Sequence, residues 1–107
     1  MEIVFHAHHA VISDRLQSRA EAALVKVSDR FPGAQGAVVR FHQDGAPAAG
    51  ARRVEIVFHA SRGRRFVAEG NGRTYGPALT AALKRLEAQL SQNKRSAKDR
   101  AHRAARA

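Results

Sequence analysis

Apolar and polar residues alternate along four short segments of the chain, with the two-residue period of a half-buried β-strand. These segments are residues 2–8, 36–43, 52–61 and 65–69. In the third segment the apolar residues assigned to the inner face are Val54, Ile56, Phe58 and Ala60. Residues 61–64 predict a tight hairpin between the third and fourth strands. The glycine-rich residues 70–72 are predicted to end the fourth strand.

Two further segments carry apolar residues at intervals of three and four, the spacing that builds one face of an amphipathic helix. In the first segment this face comprises Leu16, Ala20, Ala23, Leu24, Val27 and Phe31. In the second it comprises Tyr75, Leu79, Ala82, Leu83, Leu86 and Leu90. Ser13 and Thr74 stand where the N-cap of each helix is expected, because a hydroxyl there accepts from an orphan N–H group. Pro32 and Gly33 are predicted to end the first helix.

The resulting order of elements, β-α-β-β-β-α, predicts the fold class. Antiparallel strands with helices on one side form an α+β two-layer sandwich, here a four-stranded, mainly antiparallel sheet with two helices on one face. A chain of 107 residues suits one domain. We assign this domain to residues 1–95 and predict that residues 96–107 form a basic, disordered tail. Residues 44–51, rich in Gly, Pro and Ala, are predicted to be a mobile loop.

The charge of the chain narrows its function class. The formal net charge is +10 and the sequence pI is about 11.6. Residues 94–107 hold six cations and one anion, which is half of that net charge. Fifteen of the nineteen basic residues are arginine, whose planar fork matches phosphate geometry. Such a strongly basic balance favours nucleic acid or an anionic membrane surface as the partner.

Other features of the composition restrict the compartment and the chemistry. The chain has no cysteine, which excludes a disulfide framework and a Cys-based zinc site. It shows no signal-peptide pattern and no apolar run of membrane-span length. We therefore expect a cytoplasmic protein with no membrane partner.

The basic residues of both predicted helices fall away from the apolar faces. On the first helix, the cations on the flank of the apolar face are Arg15, Arg19, Lys26 and Arg30. On the second, the cations nearly opposite the apolar face are Lys84, Arg95 and Lys98. Because both helices should pack on the same sheet face, the two stripes are predicted to form one cationic surface that grips an RNA backbone. A solvated polar face is the alternative explanation, since most charged stripes are only that.

No pattern of catalytic residues accompanies this surface. The carboxylates are scattered singly, and the serines lack a nucleophile-elbow context, so we expect no enzyme, no small-molecule substrate and no cofactor. His6, His8 and His9 could hold a divalent metal, but they lack a recognisable fourth ligand. We expect surface histidines and no metal site. The six aromatic residues fit the core pattern, so base stacking is not predicted as the main binding mode.

Three runs of the sequence resemble one known family. The opening run from Ile3 to Leu16, an apolar strand followed by an Ile-Ser-Asp-Arg-Leu helix start, is similar to the start of the hibernation promoting factor and ribosome-associated inhibitor A family. The run Lys26-Val27-Ser28-Asp29-Arg30-Phe31 resembles the end of that family's first helix, and Leu86-Glu87-Ala88-Gln89-Leu90 matches its Leu-Glu-x-Gln-Leu motif. The resemblance covers about residues 1–98 and indicates a short form of this family, also called sigma-54 modulation proteins. The chain departs from the family pattern at residues 70–76.

This resemblance implies the same β-α-β-β-β-α fold and a function in stress and ribosome hibernation. A member binds the small ribosomal subunit and its rRNA between head and body, as a monomer when off the ribosome. There it covers the positions of messenger RNA and the tRNA anticodon ends, so translation stops by occlusion without chemistry on the RNA. The residues that match basic positions of the family are Lys26, Arg85, Lys94 and Lys98.

Three alternatives remain at the level of the sequence. The basic tail also suits a general binder of double-stranded RNA or DNA without ribosome specificity. An interaction module that modulates another protein, such as a transcription factor, is a second alternative. A metal-dependent enzyme, resting only on the three N-terminal histidines, is the third.

Overall fold

A computed structural model describes residues 1–8, 10–43 and 52–106, with side chains as far as Lys94. The elements, in chain order, are β1 Glu2–His8, α1 Asp14–Arg30, β2 Ala34–Gln43, β3 Arg52–Ala60, β4 Arg65–Gly72 and α2 Tyr75–Arg106. A short 3-10 turn, Ser61–Gly63, joins β3 to β4. The predicted order of strands and helices is therefore confirmed.

The four strands form one sheet in the order β1-β2-β3-β4. The pair β1 and β2 is parallel, whereas β2 with β3 and β3 with β4 are antiparallel. A parallel pair cannot be joined by a tight turn and needs a crossover segment, which α1 supplies. This topology confirms the predicted α+β sandwich with a mainly antiparallel sheet.

Local signals define both ends of α1. The Ser13 hydroxyl accepts a hydrogen bond from the Leu16 N–H group at 3.1 Å, as the N-cap prediction requires. At the other end the Phe31 N–H group donates to the Val27 carbonyl at 3.0 Å. Gly33 then adopts a φ of 99°, a left-handed conformation that favours glycine and redirects the chain into β2.

The core lies between the inner face of the sheet and the two helices. The helices contribute the buried residues Ala20, Leu24, Val27, Ala78, Leu79, Ala82, Leu86 and Leu90. The sheet contributes Ala37, Val39, Phe41, Val54, Ile56, Phe58 and Ala68. Since both helices share one cluster with the inner sheet residues, both cover the same sheet face, as predicted. Tyr75 joins them through an edge-to-face contact with Phe41, at 5.5 Å between ring centres.

Strand β4 is longer than the sequence predicts. The prediction that residues 70–72 end the strand is wrong, because Gly70 pairs with Val54 and Gly72 with Arg52 in the β3–β4 ladder. A Cβ atom on Gly70 would overlap the Ala78 carbonyl oxygen of α2. Glycine here therefore allows a close helix–strand approach, although the sequence pattern alone makes it look like a strand breaker.

Other boundaries differ by one or two residues. Strand β2 begins at Ala34, because that residue pairs with Ala60 of β3. Strand β3 ends at Ala60, because Ser61 begins the 3-10 turn. The predicted mobile loop, residues 44–51, lies outside the described residues. The α2 backbone is helical as far as Arg106, and the division into a domain of residues 1–95 and a tail of residues 96–107 stays a prediction.

The outer face of the sheet, which we call the open face, carries cross-strand rows in register. One row consists of Val4, Val38, Val57 and Val67. The next consists of His6, Arg40, Glu55 and Glu69. Val57 points outward as predicted but is only 8% exposed, because a valine flanks it on each side. Within the described residues, no helix is long and apolar enough to cross a membrane.

Candidate nucleic-acid interface

The two helices lie side by side and run in the same direction. Near their starts, the Arg19 guanidinium donates to the Thr80 hydroxyl at 2.6 Å. Farther along, the Arg30 guanidinium lies 3.9 Å from the Glu87 carboxylate. Successive positions of α1 thus meet successive positions of α2, and their outer surfaces form one layer, which we call the helical surface.

An open groove lies along the start of α2, and Arg19 of α1 borders it. Its volume is about 450 Å³, and its lining comprises Arg19, Gly76, Pro77, Thr80, Ala81 and Lys84. Arg19 comes from the predicted stripe of α1 and Lys84 from that of α2. Thr80 helps to shape the groove, because its hydroxyl accepts from Arg19 and donates to the Gly76 carbonyl at 3.1 Å. The structure therefore brings the two stripes together here.

Three cations of the helical surface have no anionic partner among the residues that the structure describes. Arg15, Lys26 and Lys84 are exposed. Among the described residues, none of the ion pairs within 4.0 Å involves them. Their positive potential is therefore directed to solvent, where a phosphate backbone can displace counterions from it.

Arg30 and Lys94 lie at the other end of the helical surface. The Arg30 side chain is 64% exposed and its pairing with Glu87 is long, so the ion pair contributes little to stability. Both cations also approach the Phe31 ring, at 5.6 Å from its centre for the Arg30 guanidinium and 5.9 Å for the Lys94 ammonium. These two predicted residues are brought together through Phe31.

Arg85 is not part of the groove. Its guanidinium donates to the Glu69 carbonyl of β4 at 2.7 Å, and Gln89 donates in the same way to the Val67 carbonyl at 2.8 Å. Strand β4 is an edge strand, whose outer carbonyls would otherwise lack a protein partner. Arg85 is exposed, but its contacts place it on the β4 side of α2, away from α1.

Arg95 and Lys98 lie on the helical backbone of α2, and their side chains are outside the described residues. Their role in RNA binding therefore stays a prediction.

Cations also lie outside the helices, at positions that the sequence pattern does not predict. Arg64 follows the turn between β3 and β4 and lines a cavity together with Lys94. Arg52 donates to the Arg73 carbonyl at 2.7 Å and lies over the Tyr75 ring. The sequence does contain a signal that the hairpin is cationic, because three arginines occur within residues 62–65. The helical period gives no weight to residues in turns.

His6 and His8 lie on the opposite side of the sheet from the helical surface. The His8 ring stacks on His42 of β2, with 5.0 Å between ring centres and 3° between planes. His6 is one row away on the same face, and His9 lies outside the described residues. Within the part of the chain that the structure describes, no group of three potential ligands is placed to hold a metal ion.

Comparison with known proteins places this arrangement in a family. The family model described as sigma 54 modulation protein / S30EA ribosomal protein matches residues 3–98. The chain belongs to this family. The match confirms the resemblance that the three sequence runs carry, and it includes both helices of the helical surface as far as Lys98. No match was found among curated protein sequences.

Two solved structures share the fold of this family member. The ribosomal subunit interface protein from Coxiella burnetii is 20% identical, with a TM-score of 0.75, and the match covers 88% of this chain and 98% of that one. The N-terminal domain of Protein Y from Thermus thermophilus is 23% identical, with a TM-score of 0.70 and coverage of 86% and 98%. At these identities the likeness establishes the fold alone.

Proposed function

We propose that this protein binds the small ribosomal subunit at the decoding site, where messenger RNA and tRNA meet, and inhibits translation by occlusion. The observation that carries this proposal is the groove between parallel helices, which places Arg19 and Lys84 on one surface. Membership of the S30EA ribosomal protein family supports a ribosomal partner. The Coxiella burnetii protein that shares this fold is itself a ribosomal subunit interface protein.

The proposed mechanism depends on where the protein binds and on its charge, and it involves no covalent step. Arginine and lysine side chains of the helical surface contact phosphates and release counterions, which supplies affinity and fixes orientation. The sheet behind the helices gives the domain bulk and rigidity. A bound domain then excludes messenger RNA and tRNA because two molecules cannot fill the same channel.

Sedimentation of the tagged protein with ribosomes, and separately with purified small and large subunits, tests the proposal. We expect the protein to travel with the small subunit at moderate salt and to leave it steeply as salt rises. A translation assay in a cell extract should show inhibition that increases with the amount of protein added. Protein that stays at the top of every gradient while free of aggregation contradicts the proposal.

General binding to duplex RNA or DNA is the second candidate function. The favouring observation is that exposed cations also occur off the helical surface, at Arg62, Arg64 and Arg73. A protein of this kind binds ribosomes and a random duplex with equal affinity at equal salt. A marked preference for the small subunit excludes it.

A further inference from the structure

A second concave site lies at the far end of the helical surface, where α1 ends and the β3–β4 turn meets α2. Its volume is about 180 Å³. It is separate from the groove, because Lys84 of the groove and Lys94 of this cavity are about 15 Å apart along the helix axis. The cavity shares Lys94 with the helical surface, but its apolar floor takes no part in the backbone contacts proposed above.

The floor of the cavity is apolar and largely aromatic. Phe31, Phe58 and Phe66 line it together with Leu90. Phe58 and Leu90 are buried, at 1% and 5% exposure, whereas Phe31 and Phe66 are half-buried and reach the opening. An accessible aromatic ring above an apolar floor is the surface on which unstacked nucleic-acid bases pack.

The rim of the cavity is polar and cationic. Arg64, Asn93 and Lys94 line it, and no carboxylate from the described residues does. The Asn93 amide can donate and accept, as the edge of a base requires. Lys94 lies 5.9 Å from the centre of the Phe31 ring, and its flexible four-carbon stem allows it to reach a nearby phosphate. The cationic rim therefore complements an anion, and the aromatic floor complements a planar ring attached to that anion.

We propose that this cavity takes one unstacked base of a single-stranded RNA, with its face on the Phe31 ring and its adjoining phosphate between Arg64 and Lys94. The volume is below the roughly 300–1,000 Å³ of pockets that enclose drug-sized ligands, so one ring system fits and a longer segment stays outside. The proposal rests on the proposed function for the source of the RNA. It adds one local stacking site to binding that is otherwise electrostatic.

The test compares two labelled RNA pentanucleotides, identical except that one lacks the central base. Fluorescence anisotropy with the full-length protein measures both Kd values at one salt concentration. We expect the intact RNA to bind about 5- to 140-fold more tightly, which is the fold-change for the ~1–3 kcal/mol that stacking of one base contributes. Equal Kd values for the two RNAs overturn the proposal, since phosphates alone then account for binding.

Two variants locate the effect. Phe31→Leu keeps an apolar side chain but removes the ring, and should reduce the ratio of the two Kd values to about one. Arg64→Gln with Lys94→Gln should weaken binding of both RNAs without changing the fold, because both residues are exposed. The matched control is Arg62→Gln with Arg65→Gln, which removes the same charge from residues that do not line the cavity. An equal loss in that control overturns the assignment of the phosphate.

Two further measurements separate this proposal from its neighbours. In the first, uridine monophosphate is added as a competitor at the same concentration as the pentanucleotide. If it displaces the pentanucleotide, the assignment to RNA is overturned in favour of a free nucleotide. Ribosome sedimentation of Phe31→Leu is run in parallel, with thermal unfolding as the check on its fold. If the unaltered protein binds ribosomes normally but has equal Kd values for the two RNAs, the proposal for the cavity alone is refuted. A base preference without any ribosome binding refutes the proposed function and leaves the cavity standing.

Discussion

The helical surface and the open face of the sheet are both exposed and both carry arginines, but they differ in how these arginines are paired with carboxylates. On the open face, Arg40 lies 3.1 Å from the carboxylate of Glu55, its partner in register, and Arg53 lies 2.9 Å from that of Glu69. On the helical surface the described ion pair is the long one between Arg30 and Glu87.

This difference follows from the geometry of the two layers. Strand register holds Glu55 directly opposite Glu69, an unfavourable pair that is offset because each carboxylate is paired with an arginine. The open face therefore neutralises its own charge. Helix spacing leaves Arg15, Lys26 and Lys84 without such partners in the described part of the chain, so their positive charge faces solvent on the helical surface. Charge composition alone does not distinguish the two surfaces, whereas the pairing of each charge does.

The largest effect is expected when the unpaired cations of the helical surface are removed. Neutralising Arg15, Lys26 and Lys84 together to glutamine should weaken small-subunit binding about 100-fold near 0.15 M salt. The slope of log K against log salt should fall by about 2–3, because each lost phosphate contact removes about 0.7–0.9. The matched control neutralises Arg40, Arg53 and Arg65 of the sheet, and should leave both quantities nearly unchanged. Equal losses in the two triple variants would show that net charge and not the helical surface drives binding.

The next effect compares the two faces of one strand. Val54→Ala removes two methyl groups from a fully buried site and should lower the free energy of unfolding by about 2–3 kcal/mol. Val57→Ala, on the open face, should cost about 1 kcal/mol, and Val67→Ala, 42% exposed, less than about 0.5 kcal/mol. Urea unfolding of the three variants measures this order. A larger cost at Val57 than at Val54 would mean that the open face is covered in solution.

Removing residues 97–107 should weaken ribosome binding about tenfold without abolishing it. The deleted segment holds four cations and one anion, so most of the net charge of +10 stays on the protein. The slope of the salt dependence should also become shallower, as a titration of the truncated protein at four salt concentrations can measure. Complete loss of binding with an intact helical surface would move the RNA site to the tail.

The smallest effect concerns the ion pairs themselves. A double-mutant cycle on Arg53 and Glu69 should give a coupling energy of about 0.2–1 kcal/mol, which decreases as salt rises. The same cycle on Arg30 and Glu87 should give a value near zero, because their separation is 3.9 Å and both side chains are exposed. Coupling at Arg30 as strong as at Arg53 would remove the distinction between the two surfaces.

Much of the candidate site follows from sequence because its residues lie on helices with a clear period. Arg15, Arg19, Lys26 and Lys84 are exposed where the helical wheel places them. Arg85 occupies a predicted position too, but its hydrogen bond to the β4 backbone depends on which strand forms the edge. No local pattern in the sequence reports the order of strands, so this contact could not be foreseen.

By itself the sequence determined the elements whose signals are local. Ser13 and Pro32 bracket α1, and the alternation of residues 2–8 matches β1 residue for residue, because caps and side-chain periods act within a few positions. Only the tertiary structure decided the length of β4, where ladder pairing and the close approach of α2 override the glycine signal at residues 70–72. It also joined Phe31 to Lys94 and Arg64, residues from three distant parts of the chain. Contacts across such distances in the chain depend on packing geometry, which hydrophobic periodicity does not encode.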